Sequence, residues 1–210
     1  MTKSASPAAA TPERAERGDF RRRLLLGLEQ SIREVGLQQT QIGDIVRNAR
    51  TSNRTFYECF ADKEACFAEL IDEWGRETSV AVRAAIDPEA RWDERIDQAV
   101  DAYLGVLATK PELTVTVTRE LPALGARGIE LQEEDIDRYV QLLIETTSTA
   151  AMRGDGVASV DTWTAAMLIG GVAEIIDRAN REGKPIESVG ETIKRVIKLV
   201  VGPREVPDER

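Results

Sequence analysis

Histidine is absent from all 210 positions. That removes the commonest general base and the commonest metal ligand, so hydrolytic and metal-dependent chemistry fit the chain poorly. Cysteine occurs only as Cys59 and Cys66, too few for a disulfide framework or a four-ligand zinc site. No apolar run approaches the roughly 18–20 residues of a membrane span. The N-terminus, rich in Ser, Ala and Pro, lacks the apolar segment of a signal peptide, and a cytoplasmic location is expected. No dinucleotide fingerprint, phosphate loop or repeat occurs. Carboxylates are plentiful but scattered over helix faces, with no catalytic constellation. The chain is therefore expected to be no enzyme, with no cofactor and no metal.

What is present divides unevenly. Hydrophobic residues make up 42% of the chain, enough for a real core, and the length allows one large domain or two small ones. The net charge is −9. Residues 1–60 carry ten Lys and Arg against seven Asp and Glu, a net of +3, so residues 61–210 hold a net of −12. Basic charge concentrates where one short motif lies, and an acidic remainder would be held away from phosphate.

That motif is Thr40–Lys63, TQIGDIVRNARTSNRTFYECFADK. Ile42, Ile45, Val46 and Ala49 recur at three and four residues and share one helical face. Thr40 is placed to cap that helix. Arg50, Thr51 and Ser52 interrupt the pattern, and Ser52 can cap a second helix whose Phe56 and Phe60 point inward. Asn53, Arg54, Thr55 and Tyr57 fall near its exposed leading end, the arrangement by which a recognition helix enters a major groove. Asp62 caps a third, longer helix.

The segment from about 20 to 70 resembles the DNA-binding domain of the TetR family of one-component transcriptional regulators. The resemblance rests on Gly36, Thr40, Ile45, Ser52, Thr55, Phe56, Tyr57, Phe60 and the run Asp62-Lys63-Glu64. It departs at Arg50, where the family usually has Gly, and at Val46, where the family usually has a smaller Ala at a helix crossing. It implies an all-α fold: a three-helix helix-turn-helix head followed by a helical ligand-binding and dimerisation domain, about nine helices in all. The expected division is a disordered arm over 1–18, a DNA-binding domain over 19–66, a larger ligand-binding and dimerisation domain over 67–203 and a flexible tail over 204–210. The expected DNA-binding residues are Thr40, Gln41, Ser52, Asn53, Arg54, Thr55, Tyr57 and Lys63. Arg54 suits a guanine edge, Asn53 and Thr55 an adenine edge or thymine methyl, and Tyr57 and Lys63 phosphates.

Taken in order, residues 1–18 show no apolar periodicity. Arg14, Arg17 and Arg21 to Arg23 read equally as a groove-touching arm and as a solvated tail. Phe20, Leu24, Leu25, Leu28, Ile32 and Val35 form one stripe on the first helix, which Gly36 ends. A fourth helix is expected from Lys63 to about Ile86, with Phe67, Leu70, Ile71 and Trp74 inward. At ~1.5 Å per residue it would be roughly 35 Å long, and it is the natural transmission element. Helices follow near 89–109, after Pro111, over 129–152, 159–182 and 187–201. The run ELTVTVTREL alternates like a strand, so its helical reading rests on context. PALGARG reads as a loop.

By resemblance, an effector pocket should involve Trp74, Tyr103, Leu107, Val117, Leu121, Tyr139, Leu143 and Met167, with Arg119 and Thr146 as polar anchors. Taken by its own pattern, each of the eight reads as ordinary core before it reads as a ligand wall. An apolar lining would suit a small lipophilic effector. Gly170 and Gly171 sit inside a helix, where each costs on the order of 1 kcal/mol relative to Ala unless close helix approach offsets it. With Trp163, Met167, Ile175 and Arg178, and with Ile193, Val196, Ile197 and Val200 of the last helix, they mark a homodimer contact; an intramolecular core is the alternative. The expected function is a ligand-responsive regulator, a repressor released from palindromic double-stranded operator DNA, with no membrane partner. The alternatives are a thiol redox sensor through Cys59 and Cys66, placed near Arg54 and Lys63, and a helical adaptor that binds no DNA.

Overall fold

The computed structural model describes residues 12–121 and 125–203 and is all-α, with ten α-helices among those residues. The chain divides after Leu70 into two compact units. The first holds α1 (Pro12–Val35), α2 (Ile42–Asn48), α3 (Asn53–Cys59) and the opening of α4 (Lys63–Ala85). The second holds the rest of α4, α5 (Trp92–Thr109), α6 (Pro111–Arg119), α7 (Ala126–Thr147), α8 (Ala150–Gly154), α9 (Thr162–Arg181), a 3-10 turn (Ile186–Val189) and α10 (Gly190–Val201).

In the first unit Leu24, Leu28 and Ile32 of α1 pack with Ile45, Ala49, Phe56, Phe60 and Phe67, all essentially removed from water. Val35, expected in this stripe, is instead half exposed, because it falls on the last turn before Gly36 (φ 78°) ends the helix. The helix also starts earlier than expected, within the arm that the sequence reads as disordered. Residues 12–18 belong to α1, where a proline at the first position already has a helical φ. Residues 1–11 lie outside the described residues, as do the side chain of Arg14 and the tail 204–210.

In the second unit α7 packs on α9 and α5 on α10. ELTVTVTREL is helical. Pro111 opens α6, and Thr116 and Thr118 donate their hydroxyls to the carbonyls of Glu112 (2.9 Å) and Thr114 (3.1 Å). The loop PALGARG is shorter than expected, since α7 already includes Ala126 to Gly128; residues 122–124 lie outside the described residues. The expected continuous helix over 129–152 breaks at Ser148. Thr146 and Thr147 donate to the carbonyls of Leu142 and Leu143, and Thr149 recaps the chain by accepting from Met152 N at 3.2 Å. A run of four hydroxyl side chains competes with the helical ladder there. Asp161 caps α9 through Trp163 N and Thr164 N at 2.9 and 3.1 Å. Among the described residues no helix is long and apolar enough to cross a membrane.

Candidate functional site

The helix-turn-helix is built from α1 outward. At Gly27 a Cβ would stand 2.6 Å from the carbonyl oxygen of Ile45 and 2.9 Å from Ala49 N, so α2 crosses α1 in backbone contact. The crossing thus takes its room from Gly27, and Val46 is accommodated buried beside it. The turn after α2 is closed by Arg23, whose guanidinium donates to Ala49 O (2.7 and 3.1 Å) and Arg50 O (2.6 Å). Arg50 itself is left-handed, at φ 50°. Ser52 Oγ then accepts from Thr55 N at 3.1 Å and starts α3.

On α3, Phe56 and Phe60 are buried, while Asn53, Arg54 and Tyr57 are exposed, Tyr57 set edge-on to Phe56 at 5.6 Å. Arg54 reaches into solvent but is paired with Glu58 at 2.9 Å. Gln41 and Ser52 are exposed at the rims, and Thr55 is half buried with its hydroxyl 2.9 Å from Ser52 Oγ. Two expected contacts change character. Thr40 is fully buried and donates to Gly36 O at 2.7 Å, so its side chain cannot reach DNA. Nor does it cap α2, a place taken by Gln41, whose N–H donates to Asp44. Lys63 donates to Leu37 O and Thr40 O at 2.9 and 3.0 Å, holding the α1–α2 corner and keeping one of its three donors. Arg21 is likewise structural: it donates to Cys59 O (2.7 Å), clasps Glu69 and lies over the Phe60 ring. With Arg23 also engaged, Arg17 and Arg22 remain as exposed cations of this face.

The second unit contains a train of cavities. One of about 80 Å³ lies among α4, α5, α7, α9 and α10, walled by Val82, Ile96, Val100, Leu142, Ile169 and Ile193. A second, about 70 Å³, is walled by Trp74, Leu107, Val117 and Ile136. The two share Tyr103 and Tyr139, whose rings meet edge-to-face at 5.1 Å. Of the expected pocket residues, Trp74, Tyr103, Leu107, Val117, Tyr139 and Leu143 line one or both. Leu121 is buried core lining neither, and Met167 is 65% exposed. Thr146 lines the first cavity, whereas Arg119 lines neither and pairs with Asp177 at 3.5 Å.

The second cavity has an acidic end. Burial pushes the Asp135 carboxyl up to about 6, against the Arg138 guanidinium 3.9 Å away, while Asp72 adds to the rise. Arg138 is itself bound to Asp72 at 2.7 Å. The indole N–H of Trp74 is buried without a partner. A third cavity, about 290 Å³, meets the first at Thr146 and is lined by Arg83, Pro88, Arg95 and Glu145.

Among the expected interface residues, Trp163 (86% exposed), Met167, Val196 and Val200 are surface residues, with Gly171 and Arg178 exposed and Gly170 and Ile175 half-buried beside them. Ile193 and Ile197 are buried in the chain's own core and line the first cavity, so they cannot face a partner. Leu199, 78% exposed, takes their place on α10. The helical period from Val196 was the signal for it.

Residues 24–70 match the family model described as bacterial regulatory proteins, TetR family. The head of the chain is a TetR-family DNA-binding domain. Such a head is that of a DNA-binding transcriptional regulator and not of an enzyme. No curated protein matches the chain significantly. Its fold is similar to that of the fatty acid degradation regulator FadR from Bacillus halodurans (TM-score 0.74, 18% identity, covering 94% of this chain and 100% of that one). FadR from Bacillus subtilis, solved with stearoyl-CoA, aligns with a TM-score of 0.70 at 18% identity over 88% of this chain and 99% of that one. A TetR-family regulator from Syntrophomonas wolfei aligns with a TM-score of 0.74 at 19% identity, over 90% of this chain and 98% of that one. At these identities the likeness is one of fold.

The TetR-family head also bears on the cysteines. Burial raises the Cys59 thiol, with Glu58 and Glu69 adding to the rise, against the cations Arg21 and Arg17, which are its basic neighbours in place of Arg54 and Lys63. Burial raises Cys66 much further. Neither environment favours the thiolate that redox sensing needs.

Proposed function

We propose that the chain is a repressor that binds a palindromic operator as a homodimer, through α3, and leaves it when a lipophilic effector fills the paired cavities of the second unit. The observation that carries the DNA contact is the split face of α3: Phe56 and Phe60 anchor it while Asn53, Arg54 and Tyr57 stand in solvent along its leading edge. Arg54 then reads a guanine edge, and Asn53 a neighbouring base. Tyr57, Gln41, Ser52 and the remaining donor of Lys63 lie at positions suited to phosphate.

The homodimer is supported by α9 and α10. Trp163, Met167 and Leu199 are large apolar side chains left in water, and among the described residues no atom beyond the local helix backbone lies within 4 Å of a Cβ built on Gly170 or Gly171. The two helical glycines therefore serve no close approach inside the chain, which favours a second copy over an intramolecular core. The almost wholly apolar wall of the cavity beside Tyr103 and Tyr139 supports the lipophilic effector. The stearoyl-CoA held by the Bacillus subtilis neighbour is of that character. The helix α4 is continuous from Lys63 to Ala85 and carries both Trp74 and Val82 of the cavity walls, which makes it the natural transmission element.

Selection of bound DNA from a random pool tests this reading. It should return an inverted repeat whose half-sites are separated by about one helical turn or a multiple of it. Recovery of a single unrepeated site, or of no preferred sequence, would count against it.

A further inference from the structure

The third cavity contains an anomaly. Arg95 is 93% buried, being only 7% exposed, yet it has no carboxylate partner among the described residues. Its guanidinium makes one hydrogen bond, from Nη2 to Pro88 O at 2.6 Å, and its buried Nε–H has no acceptor. A buried cation left unpaired is costly, and the cost is retained where a ligand of opposite charge meets it. The planar fork of an arginine suits a carboxylate or phosphate in bidentate contact.

We propose that Arg95 is the anion-binding group of the effector site, and that the effector is an amphipathic monocarboxylate. The proposal rests on the effector reading given above. Three observations set the class. The cavity around Arg95 holds about 290 Å³, room for a headgroup and the first part of a chain, and at Thr146 it meets the apolar cavity that would take the rest. The other cation there, Arg83, is already paired with Glu145 at 2.6 Å, so the lining carries one uncompensated positive charge. One charge matches a carboxylate better than a dianionic phosphate. At the far end of the train the lining presents the carboxylate of Asp135, and the cations near it, Arg138 and Arg76, are already engaged by Asp72 at 2.7 and 2.8 Å, so that end is the poorer place for an anionic head. The ligand thus lies with its head at Arg95 and its tail towards Tyr103 and Tyr139.

The test uses the full-length protein and three probes of one chain length: decanoate, decanol and decyl phosphate, titrated by calorimetry. Decanoate should bind at least about tenfold more tightly than decanol, the scale of a charge-assisted hydrogen bond. Arg95→Met should abolish that preference while leaving decanol affinity unchanged, and Arg95→Lys should keep it. The free Arg95→Met protein should melt no lower than the wild type, because the side chain it loses is an unpaired buried charge. Equal binding of decanoate and decanol to the wild type, or no binding of decanoate, overturns the assignment. So does an undiminished preference in Arg95→Met, or a lower melting temperature with joint loss of both probes, which would make Arg95 a structural strut for Pro88. Tighter binding of decyl phosphate overturns the choice of a monoanion. Operator release is read in parallel. Release by decanol as effective as by decanoate sinks the anion site and leaves the ligand-responsive reading standing, and tight decanoate binding without release does the reverse.

Discussion

Gly27 of α1 and Ile45 of α2 approach so closely that a Cβ on the glycine would stand 2.6 Å from the Ile45 carbonyl oxygen. The atom met is backbone, so it cannot swing aside. Gly27→Ala should therefore cost about 1–3 kcal/mol by overpacking, despite the better helix propensity of alanine. Chemical denaturation monitored by circular dichroism measures it; a more stable variant would show that the crossing has slack.

Arg50 stands at φ 50°, where the side chain of an L-residue is crowded. Arg50→Gly should stabilise the first unit by about 1 kcal/mol, since Arg23 bonds only the backbone oxygen there. A melting temperature that falls instead would assign the Arg50 side chain a stabilising contact.

These two positions bear on how much could be read from the sequence. The caps Ser52 and Asp62 and the inward Phe56 and Phe60 are legible because each follows from local spacing, and Arg50 is marked by the resemblance, which has Gly there. Gly27 was not, since one helical glycine does not announce what crosses it. Thr40 and Lys63 misled for a related reason: their types fit DNA, and only the fold reveals which carbonyls they hold. In the second unit, the pocket implied by the resemblance met the two cavities at Trp74, Tyr103, Leu107, Val117, Tyr139, Leu143 and Thr146 and left the rest of their walls unnamed. Spacing could not tell Ile193 and Ile197, which face inward, from Leu199, which faces out, because α10 is apolar on more than one side. Arg95 was invisible as a site, since an arginine on a helix reads as solvated until its burial and missing partner are known.

Arg54→Ala should weaken binding to the selected operator by about 1–3 kcal/mol and relax preference at one base pair per half-site. Glu58→Gln should act in the opposite direction, by releasing Arg54 and removing a negative charge from the same face. Equal losses on specific and nonspecific DNA in Arg54→Ala would show that this residue reads no base.

Gly171→Leu should leave the fold of the isolated chain intact, because among the described residues its Cβ meets no atom within 4 Å beyond the local helix backbone. In the homodimer it should obstruct the contact and yield monomer by sedimentation. A dimer of unchanged affinity would move the interface elsewhere.

Asp135 gives the second unit a pH signature. Its folded value of about 6 lies above the usual carboxyl value, so the folded chain holds the proton more tightly than the unfolded one. That stability is fully present below about pH 4 and is lost as pH rises through 6, on the order of 2–3 kcal/mol in all. Asp135→Asn should flatten the stability profile across this window. An unchanged slope would place the titration in another group.

The most direct test of the account is linkage between the cavity and the operator. Decanoate is titrated into the protein alone and into the protein saturated with selected operator DNA. The account predicts weaker binding in the presence of DNA by a factor corresponding to about 1–3 kcal/mol, and reciprocally weaker DNA binding by the ligand-saturated protein. Equal ligand affinity with and without DNA would contradict it.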